Sequence, residues 1–224
     1  MFEREREERV QQLESHSHAV VRLKISQATR LAHVLSRAFH EEPQFTYMLP
    51  DKNERSAALP WILNSVIRAS HLNGESYTTA DIEGGALWIG PGRTFAFQQL
   101  LPTEAQSFPL ELDTESFERC VKLSAHLTRA RQQLVRTPHW YLIALGVEPS
   151  RRGRSIREAL IQPVLSRADG DGVPCYVEAF HERYLPFYEE HGFRIEGSGS
   201  VCRNGPAFWA MTRLPGTKIR QIDM

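Results

Sequence analysis

The chain has 224 residues, 41% of them hydrophobic and 24% charged, enough to bury a sizeable core as one domain or as one domain with an appendage. Its 27 basic and 27 acidic residues cancel, which excludes a global field that would draw the molecule onto DNA or a membrane and leaves any polyanion contact to a local patch. Cys120, Cys175 and Cys202 are odd in number and lack metal-ligand spacing, no apolar run approaches the roughly 18 residues of a membrane span, and "MFEREREERV" is the opposite of a signal peptide. Packed free thiols, no metal and a cytoplasmic location are therefore expected.

Residues 1–18 read as a charged extension, with Glu and Arg crowded around Val10 and Leu13 as in an exposed helix held by i,i+4 pairs or in a frayed arm. The domain itself is expected over 19–224. "AVVRLKI" gives a strand at 19 to 25, and a helix follows over about 27 to 39. "EEPQFTYMLPD" breaks the periodicity with two prolines before a second helix, about 53 to 71. "ESYTTADI" and "GGALWIGPG" read as strands, and two helical stretches are expected between 93 and 134. "HWYLIALGV" is the longest apolar strand, and its near-continuous hydrophobicity predicts the middle of a sheet covered on both faces.

That strand runs into "GVEPSRRGRSIREALIQPV", residues 146 to 164, a basic turn opening a helix that lasts to about 169. A loop at a helix start presents unpaired N–H groups and the positive end of the helix dipole, which suit a phosphate. Here only Gly153 supplies glycine, and arginine occupies 151, 152, 154 and 157. "DGDGVP" then feeds the strand "CYVEAF", and strand, helix and strand at this spacing predict a right-handed crossover with parallel partners. "LPFYEEHGF" is a short helix stopped by Gly192, and "VCRNGPAFWAMTRL" a hairpin arm turning at Arg203, Asn204 and Gly205. The class is mixed α/β.

The motifs "HWYL", "QPVL", "GVPCYVE", "LPFYEEHGF" and "GPAFWAMTR" follow one another in an order that resembles the GNAT N-acyltransferase superfamily, and within it the puromycin acetyltransferase type, over about residues 21 to 215. The resemblance implies a single GNAT-type domain whose mixed central sheet is splayed at its middle strands, about 140 to 147 and 174 to 179, with helices on both faces. It further implies acetyl-CoA or another acyl-CoA held in the splay. The thioester would meet strand backbone around Leu145 to Val147, and the pyrophosphate would meet the turn of Arg152, Gly153, Arg154, Ser155 and Arg157. Tyr188 matches the family tyrosine that protonates the departing sulfur. Glu178, one strand earlier, is the candidate base, with His139 and His181 as further candidates of suitable pKa. Glu41 and Glu42 sit in the segment that in this family folds over the acceptor, expected to be the primary amine of a small molecule such as an antibiotic or secondary metabolite.

Two departures fall on the donor side. Ser155 and Arg157 stand where the family turn has small residues, and Tyr184 stands where an asparagine contacts the coenzyme, with Phe180 and His181 replacing small residues upstream. Three readings stay open. In the first, acyl-CoA binds through the arginines. In the second, the donor is an aminoacyl-tRNA, its backbone on the arginines and its terminal adenosine on Tyr184 or Phe180. In the third, the chain is a binding module that keeps the fold alone.

Overall fold

The computed structural model describes residues 19–95, 113–151, 154–202 and 204–217. Its strands are β1 (Val20–Arg22), β2 (Gly74–Thr79), β3 (Gly84–Ile89), β4 (Trp140–Val147), β5 (Cys175–Ala179), β6 (Arg194–Ser200) and β7 (Ala207–Arg213). They form one sheet in the order β1-β2-β3-β4-β5-β7-β6, antiparallel except for the β4–β5 pair. The expected extension 1–18, most of the first helical stretch expected after residue 93, and Arg152, Gly153 and Arg203 lie outside the described residues.

Helices α1 (Ala28–Phe39), α3 (Lys52–Asn73) and α4 (Thr114–Leu134) cover one face, where Leu31, Leu35, Leu59, Leu63 and Leu123 pack with Tyr141 and Tyr176. The other face carries α5 (Arg154–Asp171) and α6 (Leu185–Glu190), whose Leu160, Val164, Phe187 and Tyr188 pack with Trp140, Leu142, Val177 and Ala179. Successive strand residues thus point to opposite faces, and β4 reads as continuously apolar because both faces are covered. The first β-strand is shorter than the 19 to 25 expected, because a 3-10 turn at Ile25–Gln27 takes the chain off the sheet edge.

The proline-broken segment needs correction. Pro43–Met48 is helical (α2), with Pro43 at its first position, where a missing N–H costs no intrahelical bond. At the other end of the chain the short helix stops as expected. Gly192 takes φ +84, and the N–H of Phe193 returns to the carbonyl of Tyr188 at 3.0 Å.

Two features shape the middle of the sheet. β4 and β5 pair at Trp140–Cys175, Tyr141–Tyr176 and Leu142–Val177 and no further, so β4 runs from Ile143 to Val147 without a β5 partner. On its other side, the register with β3 shifts between Leu87 and Trp88, leaving Ile143 as the extra residue of a bulge that turns β4 away. Gly85 and Gly146 face each other in that ladder, and each gives α1 its seat. A Cβ on Gly146 would lie 2.7 Å from Leu35 and 2.8 Å from Phe39, and one on Gly85 would lie 2.8 Å from Leu31. Arg37 on α1 then forks onto Glu148 just past β4, with its Nε 3.0 Å from each carboxylate oxygen.

Candidate active site

Where β4 and β5 part, a cavity of about 440 Å³ opens, lined by residues from both faces of the sheet. Leu145 and Val147, the expected backbone contacts, line it along the unpaired edge of β4. Glu178 reaches it from β5, on the same side as Tyr176, and Tyr188 reaches it from α6. The splay therefore joins two environments that an intact sheet would keep apart.

Glu178 is half-buried, and its Oε1 is sealed from solvent with no hydrogen-bond partner among the described residues. Burial pushes its carboxyl up to about 7, against the pull of Arg131 and of the Tyr141 and Tyr176 hydroxyls. The Tyr176 hydroxyl does not complete a bond of ordinary distance and angle either. Arg131 comes from α4, 8% exposed, with its guanidinium 4.1 Å above the Tyr141 ring. Neither Arg131 nor the two tyrosines was singled out from the sequence. The only signal available was the alternation that places Tyr141, Tyr176 and Glu178 on one face of neighbouring strands.

Tyr188 is buried, 8% exposed, and its hydroxyl makes no hydrogen bond among the described residues. Burial holds its pKa well above the tyrosine range, Tyr184 and Glu42 push the same way, and Arg157 pulls down. It is thus a protonated hydroxyl at neutral pH. Arg157 lies on the rim, its guanidinium 5.1 Å over the Phe187 ring, and forms no ion pair among the described residues.

The other arginines of the turn differ. Arg151 pairs with Glu83 at 3.2 Å, and Arg154 pairs with Glu158 at 2.7 Å and with Glu190. Ser155 is exposed on the first turn of α5. Arg152 and Gly153 lie outside the described residues.

Glu42 and Tyr184 line the cavity but already bind each other. Arg183 donates to Glu42 Oε1 at 2.5 Å, and the Tyr184 hydroxyl donates to the same oxygen, which fastens the start of α2 to the 3-10 turn Glu182–Tyr184. Glu41 points elsewhere. It is exposed, bonded to His40 at 2.8 Å and 3.7 Å from Arg55, and does not line the cavity. His139 and His181 are also engaged away from it, His139 Nδ1 with the Thr137 carbonyl at 2.8 Å and His181 Nδ1 with the Arg183 N–H at 3.1 Å. Of the cysteines, Cys120 and Cys175 are packed as expected, whereas Cys202 is exposed, with its sulfur 3.2 Å from the Tyr47 hydroxyl.

Residues 120–193, which run from α4 through β4, α5 and β5 to the end of α6, match the model of the acetyltransferase (GNAT) family. An uncharacterized N-acetyltransferase of Schizosaccharomyces pombe is 26% identical over 193 residues, covering 83% of this chain and 78% of its own. Two solved structures share the fold. A Corynebacterium glutamicum protein described as histone acetyltransferase HPA2 and related acetyltransferase has TM-score 0.61 at 22% identity, over 90% of this chain and 98% of its own. Arylalkylamine N-acetyltransferase 2 of Aedes aegypti has TM-score 0.56 at 15% identity, over 88% and 98%.

Proposed function

We propose that this chain is a GNAT-type acetyltransferase that moves an acyl group from acyl-coenzyme A to the primary amine of a small molecule, the acceptor class also suggested by its puromycin-type motifs. The observation that supports the reading most is the pairing in one cavity of a carboxyl with one unpartnered oxygen and a pKa of about 7 with a protonated tyrosine whose hydroxyl is uncommitted. Glu178 takes the proton that keeps the acceptor an unreactive ammonium, and a base near neutrality suits that task. Attack forms the C–N bond, the C–S bond breaks as Tyr188 donates its proton to the departing sulfur, and the second N–H proton of the amine returns to the tyrosinate, so the proton taken by Glu178 is the one released net. The donor has matching features in the unpaired β4 edge from Ile143 to Val147, the start of α5, and the unengaged Arg157.

The donor is assigned to acyl-CoA rather than aminoacyl-tRNA because, of the described arginines of the turn, Arg151 and Arg154 are paired with Glu83, Glu158 and Glu190, which leaves Arg157 as the one without an ion pair to offer a phosphate. No helix among the described residues is long and apolar enough to cross a membrane, and the location proposed is cytoplasmic. The test is amide formation by purified protein on a panel of primary amines that includes puromycin, with acetyl-CoA or with aminoacyl-tRNA before and after ribonuclease. Amide that requires acetyl-CoA and ignores ribonuclease is expected. Ribonuclease-sensitive product would transfer the assignment to the tRNA donor, and no amide from either donor would leave a binding module.

A further inference from the structure

Among the described residues the cavity has two carboxylates in its lining, Glu42 and Glu178, and neither can receive a second cation on the acceptor. Glu42 Oε1 already takes hydrogen bonds from Arg183 and Tyr184. Glu178 must accept the proton of the reacting amine, and it stands beside Arg131. Arg131 is itself almost fully buried, stacked at 4.1 Å on Tyr141, and donates a long hydrogen bond, 3.5 Å, to the Phe95 carbonyl. Its positive charge acts on Glu178, whose carboxyl it pulls down.

The rest of the wall on the α1–α4 side is mostly apolar, with the Ser124 and Thr128 side chains of α4 as its hydroxyl groups. Phe39 and Phe45 stack at 5.6 Å between centroids, and Met48, Leu123 and Leu127 adjoin them around the same cavity. Gln44 interrupts this surface, with a buried Oε1 that has no hydrogen-bond partner among the described residues. A buried acceptor atom without a donor is costly unless the ligand supplies one.

We propose that the acceptor is a monoamine on an aromatic or aliphatic body that carries one hydrogen-bond donor for Gln44, and that Arg131 excludes di- and polyamines from this site. The proposal rests on the acyl-transfer reading. A second ammonium entering this wall would leave water to face aromatic and aliphatic side chains, two hydroxyls and a fixed guanidinium, with no carboxylate among the described lining residues to meet it. A neutral body loses nothing there and covers the rings.

The test compares kcat/KM at saturating acetyl-CoA for tyramine, phenethylamine, putrescine and spermidine. Both monoamines are expected to exceed both polyamines by about 100-fold or more, because an unpaired buried charge is worse than a lost methylene contact. Tyramine is expected to exceed phenethylamine, and Gln44→Leu should bring the two to within about 2-fold of each other. Leu127→Glu places a carboxylate in the wall and should raise putrescine relative to phenethylamine at least 10-fold, whereas Leu127→Gln should not. Arg131→Met, assayed near pH 9 so that Glu178 is ionised in both proteins, should move the ratio the same way and serves if Leu127→Glu does not fold. Wild-type kcat/KM for putrescine or spermidine equal to that for the monoamines would overturn the proposal and leave acyl transfer standing. Failure to acylate any amine would overturn both.

Discussion

The basic turn after β4 and the carboxylate on β5 border one cavity, but they differ in how much of their charge a ligand could use. In the turn, Arg151 and Arg154 are engaged with three glutamates, and Arg157 alone of the described arginines there is free of an ion pair. On β5, one glutamate in a five-residue strand keeps an unpartnered oxygen and a carboxyl pushed up to about 7. Residue composition makes the turn look like the reactive region. Neighbours decide otherwise, since each guanidinium near an uncommitted glutamate is screened before a ligand arrives, while burial keeps Glu178 both unsatisfied and tunable.

The sharpest way to break this contrast is to remove the proton-transfer groups. Tyr188→Phe is expected to lower kcat about 10²- to 10⁴-fold with little change in KM, the range of general acid–base catalysis, and Glu178→Gln should fall in the same range. Steady-state kinetics with chemistry shown to be rate-limiting checks both, and unchanged turnover in either variant would assign its role to water. In the wild type, kcat/KM should decline as pH falls below about 7, where Glu178 becomes protonated. Arg131 pulls that value down, so Arg131→Met should move the limb to higher pH.

The same carboxyl makes a stability prediction of opposite sign to its catalytic one. Its native pKa of about 7 lies above the roughly 4.3 of an unperturbed glutamate, so between those values the native state holds a proton that the unfolded chain has released. The stability linked to Glu178 is complete below the unfolded value and is lost as pH rises through about 7. Glu178→Gln should therefore melt above the wild type at pH 8 and level with it near pH 4, as read by thermal denaturation. A catalytically crippled variant that is more stable is the expected signature of a functional buried charge.

Within the turn, the effects should be smaller and unequal. Arg157→Ala is expected to weaken acetyl-CoA binding about 10- to 100-fold, equivalent to ~1.5–3 kcal/mol for a hydrogen bond to a charged group. Arg154→Ala removes a guanidinium already paired with Glu158 and Glu190 and should change binding less than about 3-fold. Calorimetric titration of each variant decides, and equal losses would mean that the ion pairs of Arg154 open to receive the donor.

The fold was legible because several independent patterns agree on it. The apolar run of β4, the crossover through α5, and the stop at Gly192 each follow from a local rule that the tertiary structure obeys. The splay was expected from the resemblance, but its local cause was not. The bulge at Ile143 depends on the β3 register, and the Gly85–Gly146 seat for α1 depends on residues 61 positions apart in sequence meeting across a ladder. Arg131 was illegible for the same reason. On its own helix it is one of several basic residues, and only the packing of α4 over Tyr141 gives it a partner and a role. The segment around Pro43 was misread because a proline ends a helix from within yet begins one without cost, and the sequence around it does not say which.

Glu41 and Glu42 give the finest version of the opening contrast, since they are adjacent, chemically identical, and equally placed by sequence to contact the acceptor. Glu42 is 4% exposed and clasps Arg183 and Tyr184, so Glu42→Gln should loosen α2 over the cavity, raising the acceptor KM several-fold and lowering stability by about 1–2 kcal/mol, less than for a fully buried pair because Arg183 is half-exposed. Glu41 is solvated beside His40, Lys52 and Arg55, outside the lining. Glu41→Gln should leave kcat/KM within about 2-fold and the melting temperature unchanged, as is usual for a surface substitution. Acceptor kinetics on the two variants side by side provide the check. A KM effect in Glu41→Gln equal to that in Glu42→Gln would mean that the pair acts through the charge of the segment as a whole rather than through the clasp, and the distinction between a ligand-facing and a solvated carboxylate would then fail at its closest spacing.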